Sequence, residues 1–461
     1  MNRPIGMTAY DRLFLASHIR ERQAGRPGTV FVGRVLLDGV PDGDLLRNRL
    51  EQVLVHQPVL GACVDYSRLT ARAYWRPIGS SPVDSMLRFA DLAGAPSPLV
   101  ACDALIDELL NEPQDELRLL PLTIVRCRLH DDRAALLFRV PHHLTDHPGL
   151  MALLRALDDP GCAAGASASL ASDEYPPTWS RRYVHRLGKG LANVWRLRRL
   201  DAHPLVVRPA SSQPPAGHLF RSWPAVALER VLARAGAMCS PGPLLHSRHF
   251  LIAAAQAIDD IADTIGLRGR FIVMPVALSR PRRTPRRFVA GNDLTVAPIR
   301  IDRSLLSRPR DLDEDLRAQL SRHHDETGEA AWVTLSFAGW LRIGHYRRLL
   351  SLRGTLPPGP AAVSPVDARD LPERWLGHRV LDYNAAVLPT VPPGMLLALL
   401  RCRGRFNIGC GYLRSVWPDA AVRRFMERFE ERAGLEGTPI APDEDSADPA
   451  PDESSGAGSG R

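Results

Sequence analysis

Lysine is nearly missing from this chain. Of its 59 Lys and Arg residues only Lys189 is a lysine, so the formal net charge of +8 is an arginine charge. With 40 prolines beside it, that arginine excess reads as a bias in coding composition rather than a general basic surface. Nucleic acid is therefore not an expected partner, and local arginine clusters are the more informative signal. Paired cysteines are missing too. The seven cysteines are odd in number and show no C-x-x-C spacing, which excludes a disulfide framework and suits reduced thiols in a cytoplasmic protein. No apolar run approaches the roughly 18 residues of a membrane span. The opening MNRPIGMTAYDRLFLASHIRER has no uninterrupted apolar h-region, so no secretory leader is expected. Glycine loops of the Walker or Rossmann type and the G-x-S-x-G elbow are absent, as is any repeat of solenoid period.

What is there is a long chain with an ordinary globular balance: 461 residues, 45% hydrophobic and 24% charged. That length suits two domains of about 200 residues each. VFVGRVLLDG (30–39) reads as a strand, and Asp42 or Asp44 can cap a helix with Leu46, Leu50, Val53 and Leu54 on one face. A short helix is expected at Leu105–Leu110. PLTIVRCRL (121–129) and RAALLFRV (133–140) read as a hairpin, followed by a helix with Leu150, Leu153, Leu154 and Leu157 on its buried side. An arginine-rich helix spans 179–200, and SSQPPAG (211–217) reads as a linker. Beyond it come a helix at Phe250–Ile261, the strand FIVMPVAL (271–278), and late strands at MLLALLRCRG and RFNIGCGY. The acidic, Pro/Ser/Gly-rich end from about Glu436 lacks core formers and is expected to be disordered. The expected organisation is 1–178 as an N-terminal half, 179–217 as a basic crossover helix and linker, 218–435 as a C-terminal half, and 436–461 as a tail.

Between the hairpin and the apolar helix lies RVPHHLTDHPGL (139–150), with His142, His143, Asp146 and His147 inside six positions. Three readings compete. As a metal cradle, His143/His147 and His142/Asp146 have the four-residue spacing of helical ligands, but Pro148 works against helical geometry at His147 and no metal is expected. As a polar loop, the histidines would only close the strand end. As a catalytic loop, a histidine at a strand end takes a proton, and an aspartate four residues on holds the loop through an arginine or backbone N–H groups.

The stretch PHHLTDHPGLMALLRAL resembles the HHxxxDG segment and following apolar helix of the chloramphenicol-acetyltransferase-like superfamily. That superfamily includes nonribosomal-peptide condensation domains, and the look is closest to the bacterial wax ester synthase/diacylglycerol acyltransferases. In register, Pro141 stands at the first His, His142 at the second, Asp146 at the Asp and His147 at the Gly. Weaker similarities follow in order over about residues 7–435: MTAYDRLFL at the opening, PLTIVRCRL, MPVALSR with Gly291-Asn292, SPVDAR (364–369), LGHRVLDY (376–383) and GRFNIG (404–409). The resemblance implies an α/β fold of two chloramphenicol-acetyltransferase-like halves, each a mixed sheet with flanking helices, and an active-site tunnel between them.

It also implies an acyltransferase. His142 would be the general base and Asp146 its supporting member in the catalytic motif, with His143, His147, Asn292 and Ser364 toward substrate. The donor would be acyl-CoA or an acyl carrier protein, its thioester serving as substrate with no bound cofactor, and the acceptor an alcohol or amine. Pro141, His147 and the missing Asn-Asp pair in SRHFLIAAA support a second reading, an inactive condensation-like protein that docks a carrier protein or biosynthetic partner. The basic helix could meet anionic lipid, CoA phosphates or a carrier protein, or simply be a solvated face. PRRTPRRF (281–288) could bind phosphate or be an exposed loop. His323-His324-Asp325-Glu326 is expected at the surface.

Overall fold

The computed structural model describes residues 4–163, 180–198, 214–279, 290–338, 342–351, 359–367 and 371–435, apart from positions 68, 69, 71, 79–81, 114, 118, 119, 131, 242, 243 and 403. PRRTPRRF, the acidic tail and the first three residues of SSQPPAG lie outside them, and the last two residues of SSQPPAG, Ala216 and Gly217, begin a strand rather than a linker.

The first expected strand is β1 (Val30–Leu37), buried throughout. Asp42 caps the next helix, Gly43–His56, by accepting from the N–H groups of Asp44 and Leu45. Leu46, Leu50 and Val53 are buried, as the helical period requires. β2 (Ala62–Tyr66) and β3 (Ala73–Pro77) form a separate two-stranded ribbon. β4 (Leu87–Asp91) precedes a helix at Pro98–Asn111, longer than the stretch expected there because Pro98 opens it two turns earlier. β5 (Thr123–Arg128) and β6 (Ala134–Pro141) are the expected antiparallel hairpin. Arg139, buried on β6, donates to the carbonyls of Leu109 and Glu112 and so closes the C-terminal end of the 98–111 helix.

The second half contributes β7 (Ala216–Pro224), β8 (Phe271–Ser279), β9 (Leu294–Asp302), β10 (Ala362–Asp367), β11 (Arg374–Trp375), β12 (His378–Val387), β13 (Met395–Cys402) and β14 (Arg405–Leu413). One six-stranded sheet runs β7-β14-β13-β10-β8-β9, with β10 parallel to both neighbours and the other pairs antiparallel. The other runs β11-β12-β1-β6-β5-β4. Both are mixed sheets flanked by helices, the two-half architecture expected.

The halves are not contiguous in sequence. β11 and β12 come from beyond residue 370 yet complete the N-terminal sheet, β12 pairing along β1 from Phe31↔Val387 to Leu37↔Val380. The division at 218 therefore does not separate the sheets. The crossover is locked by close backbone contact: a Cβ on Gly409 or Gly411 of β14 would fall on the carbonyl oxygens of Ala385 and Val387 of β12. Buried Asn407 adds hydrogen bonds to Asp382 Oδ1 (2.6 Å) and to the carbonyl of Tyr383 (2.8 Å).

His323 corrects an expectation. It is buried rather than on the surface, in a π-helical turn, His323–Thr327, and its Nε2 lies 3.1 Å from the hydroxyl of Thr295. Burial, and then His324, push its pKa down to about 4. An unfolded chain takes up the proton near pH 6.5 that native His323 refuses, so its contribution is complete above 6.5 and is lost as pH falls toward 4. Buried His143 acts in the same direction. His218, where burial is outweighed by the carboxylates of Asp103 (3.9 Å) and hydrogen-bonded Asp107 (2.7 Å) so that the pKa is raised, acts in the opposite one. The urea midpoint should therefore fall between pH 7 and 5, and His323→Gln should flatten that slope by up to about 1.4 kcal/mol per pH unit. A profile unchanged by the substitution would refute this.

Candidate active site

β6 ends at Pro141, and the chain turns so that the N–H of Leu144 reaches the carbonyl of Pro141 (2.9 Å). The next helix is His147–Asp158, with Asp146 as its N-cap and Pro148 in its first turn. Proline there starts the helix rather than breaking it, because the first-turn N–H groups have no intrahelical acceptor. The paired four-residue spacings of the cluster thus lie outside helix. Among the described residues no three His, Cys, Asp or Glu converge on a possible metal position.

The loop meets the second half at a short bridge. Thr145 pairs in parallel with Gly291, whose N–H reaches the carbonyl of Leu144 (2.7 Å). Gly291 has φ +98°, a conformation that favours glycine. Asp146 joins both sides. One oxygen accepts from the N–H of Gly149 in its own helix (3.1 Å), the other from the N–H of Asp293 across the bridge (2.7 Å). Asp146 thus accepts from backbone N–H groups on both sides of the bridge and makes no hydrogen bond to the His142 ring.

Asn292 is wholly buried, which removes it from direct contact with a substrate in this structure. Its Nδ2 donates to Asp11 Oδ1 and to the backbone carbonyl of His142, both at 2.8 Å. The backbone carbonyl of His142 can only accept, so the amide turns its Nδ2 toward it and its orientation is fixed. Its Oδ1 therefore faces His142 Nδ1, 3.1 Å away, and an amide oxygen can only accept. His142 must carry its proton on Nδ1, and in the neutral ring Nε2 holds the lone pair. Burial is the chief cause that lowers the His142 pKa below 6.5, opposed by its hydrogen bonds and by the charge of Asp146. Burial thus favours the neutral ring. That is the state a general base needs.

Three residues of the helix Ala9–Gln23 complete the surroundings. Thr8 and Asp11 form a capping box, and Asp11 is buried behind Asn292, its carboxyl pushed up by burial against the hydrogen bonds it accepts. Phe14 stacks on His142 at 3.9 Å between ring centroids, and Phe31 of β1 meets the same ring edge-on at 5.9 Å. His18 meets His143 at 5.1 Å. Asp11, Phe14 and His18 follow at i, i+3, i+7, one helix face. The sequence reading missed all three, although the T-x-x-D box and this spacing were visible in MTAYDRLFLASH.

The remaining expected site residues scatter. His143 is buried against Trp75 (5.6 Å, nearly parallel), and burial, then nearby positive groups, push its pKa well below 6.5. His147 is half-buried, its ring 5.6 Å from that of Tyr383 on β12. Ser364 sits on β10, opposite Ala398 of β13, and is not among the residues that hydrogen-bond or stack on His142. The helix expected at 250–261 is Leu245–Asp260, and within it, where the resembled family has its Asn-Asp pair, buried Arg248 pairs with Asp313 at 2.6 Å.

No family model and no curated protein matches the sequence. Solved structures do match the fold. The first condensation domain of the CDA synthetase superposes with a TM-score of 0.67 at 17% identity, over 95% of this chain and 98% of that one. A variant of the starter condensation domain of rhizomide synthetase RzmA, in complex with C8-CoA and Leu-SNAC, superposes with a TM-score of 0.65 at 12% identity, over 95% of each chain. The protein has the fold of these condensation domains, the two-half architecture that the motifs suggested. No helix among the described residues is long and apolar enough to cross a membrane.

Proposed function

We propose that this chain is an acyltransferase in which His142 Nε2 is the general base. It takes the proton of an acceptor hydroxyl or amine as that oxygen or nitrogen attacks the carbonyl carbon of an acyl thioester. Collapse of the tetrahedral intermediate breaks the C–S bond, and the proton returns from the imidazolium to the departing thiolate. The donor is an acyl-CoA, like the C8-CoA in complex with the RzmA starter domain variant, or an acyl group on a carrier protein. No bound cofactor is required. The observation that carries this reading is the bond from His142 Nδ1–H to Asn292 Oδ1, which leaves Nε2 as the basic atom at the joint of the two halves.

A second reading, a non-catalytic condensation-like protein that docks a carrier protein or biosynthetic partner, is favoured by the Phe14 ring stacked on His142 and by His147 at the glycine site. Incubation with a panel of acyl-CoAs and acyl carrier proteins, with alcohol and amine acceptors, separates the two. Mass spectrometry should find thioester loss matched by acylated acceptor. Carrier protein bound with every thioester intact would favour the second reading.

A further inference from the structure

We infer that the helix Arg181–Arg198 is a docking surface for an anionic phospholipid membrane, on which the protein lies without crossing it. One face of this helix is spoken for. Gly190 rests so closely on the helix Gly328–Ala338 that a Cβ would strike the hydroxyl of Thr334, Tyr183 is buried, and Arg186 pairs with Glu329. Lys189 pairs with Glu326 at 3.1 Å on the flank.

The opposite side shows Val184, Leu191 and Trp195 at 49%, 53% and 55% exposure. Successive spacings of seven and four residues put them on one stripe of a helix with about 3.6 residues per turn. Arg181 and Arg196 are exposed on one side of it, about 60° and about 120° round the helix, and no carboxylate among the described residues pairs with them. The helix RRYVHRLGKGLANVWRLR itself contains no acidic residue. An apolar stripe with an aromatic, bordered by unneutralised arginines, matches the acyl boundary and the negative headgroups of a bilayer surface at once. A small acidic protein would satisfy the arginines but would not by itself account for a tryptophan and two aliphatics left half in water.

The test is sedimentation of the full chain with vesicles of phosphatidylcholine alone or mixed with phosphatidylglycerol. Turnover is not measured, so the result is independent of the acyltransferase reading. Binding is expected only to the anionic vesicles and should weaken steeply with salt. Leu191→Ser with Trp195→Ser, and separately Arg181→Glu with Arg196→Glu, should each weaken it by about tenfold or more. These side chains are at the surface, so unchanged melting temperatures are expected and provide the folding control. Failure to sediment with anionic vesicles would overturn the inference. So would binding that the arginine reversal abolishes but the Leu191/Trp195 pair leaves intact, or selective binding of an acidic carrier protein through this helix with no vesicle binding.

Discussion

His142→Ala is expected to lower acyl-transfer turnover by about a hundred- to ten-thousandfold, the usual worth of a positioned general base. The three histidines of the loop should separate cleanly, because the fold gives each a different environment. The His143 ring is enclosed by Trp75 and His18 and does not face the bonding partners of His142. His143→Ala should therefore act mainly through stability and change turnover of the folded protein far less. His147 opens the helix that Asp146 caps, at the position the motif gives to glycine. His147→Gly should preserve turnover or raise it by allowing closer approach of backbone and substrate. Steady-state rates on variants first shown to be folded decide the matter. Equal losses at His142 and His143, or full activity in His142→Ala, would remove His142 from the role.

Asp146→Ala is expected to destabilise the protein by about 2–4 kcal/mol. Loss of a helix N-cap costs about 1 kcal/mol, and a buried N–H left without an acceptor costs about 1–3 more. The two N–H groups concerned belong to Gly149 and Asp293, on opposite sides of the joint between halves. The variant should thus lose activity as well, by letting the loop drift from Asn292. Asp146→Asn keeps one acceptor oxygen and should be milder. Denaturant unfolding checks both, and an unchanged midpoint in Asp146→Ala would show that the loop does not depend on this carboxylate.

The parts of the fold that were legible in the sequence are those set by neighbours in the chain. Asp42 as a cap, the buried face of Leu46, Leu50 and Val53, the hairpin of β5 and β6, and the helix after Asp146 all follow from local period and capping chemistry. The preference for His142 over His143 rests on motif register. The contacts around the His142 ring could not be read there, because Asp11, Asn292 and His142 are brought together across 281 and 150 positions. β12 is the same case at the level of the sheet: its own pattern is strand-like, but nothing local says that it pairs with β1. Pro148 and His323 were misread for opposite reasons. One was judged as a helix breaker where it begins a helix. The other was judged by its polar neighbours, where the π turn directs its ring inward to Thr295.

The most direct test is nitrogen NMR of the His142 imidazole across pH, assigned by comparison with the His142→Ala variant. At neutral pH Nδ1 is expected to bear the proton and Nε2 the lone pair, the ring to titrate with a midpoint below 6.5, and Asn292→Ala to erode the preference for that tautomer. A neutral ring protonated on Nε2, or a midpoint above 6.5, would contradict it.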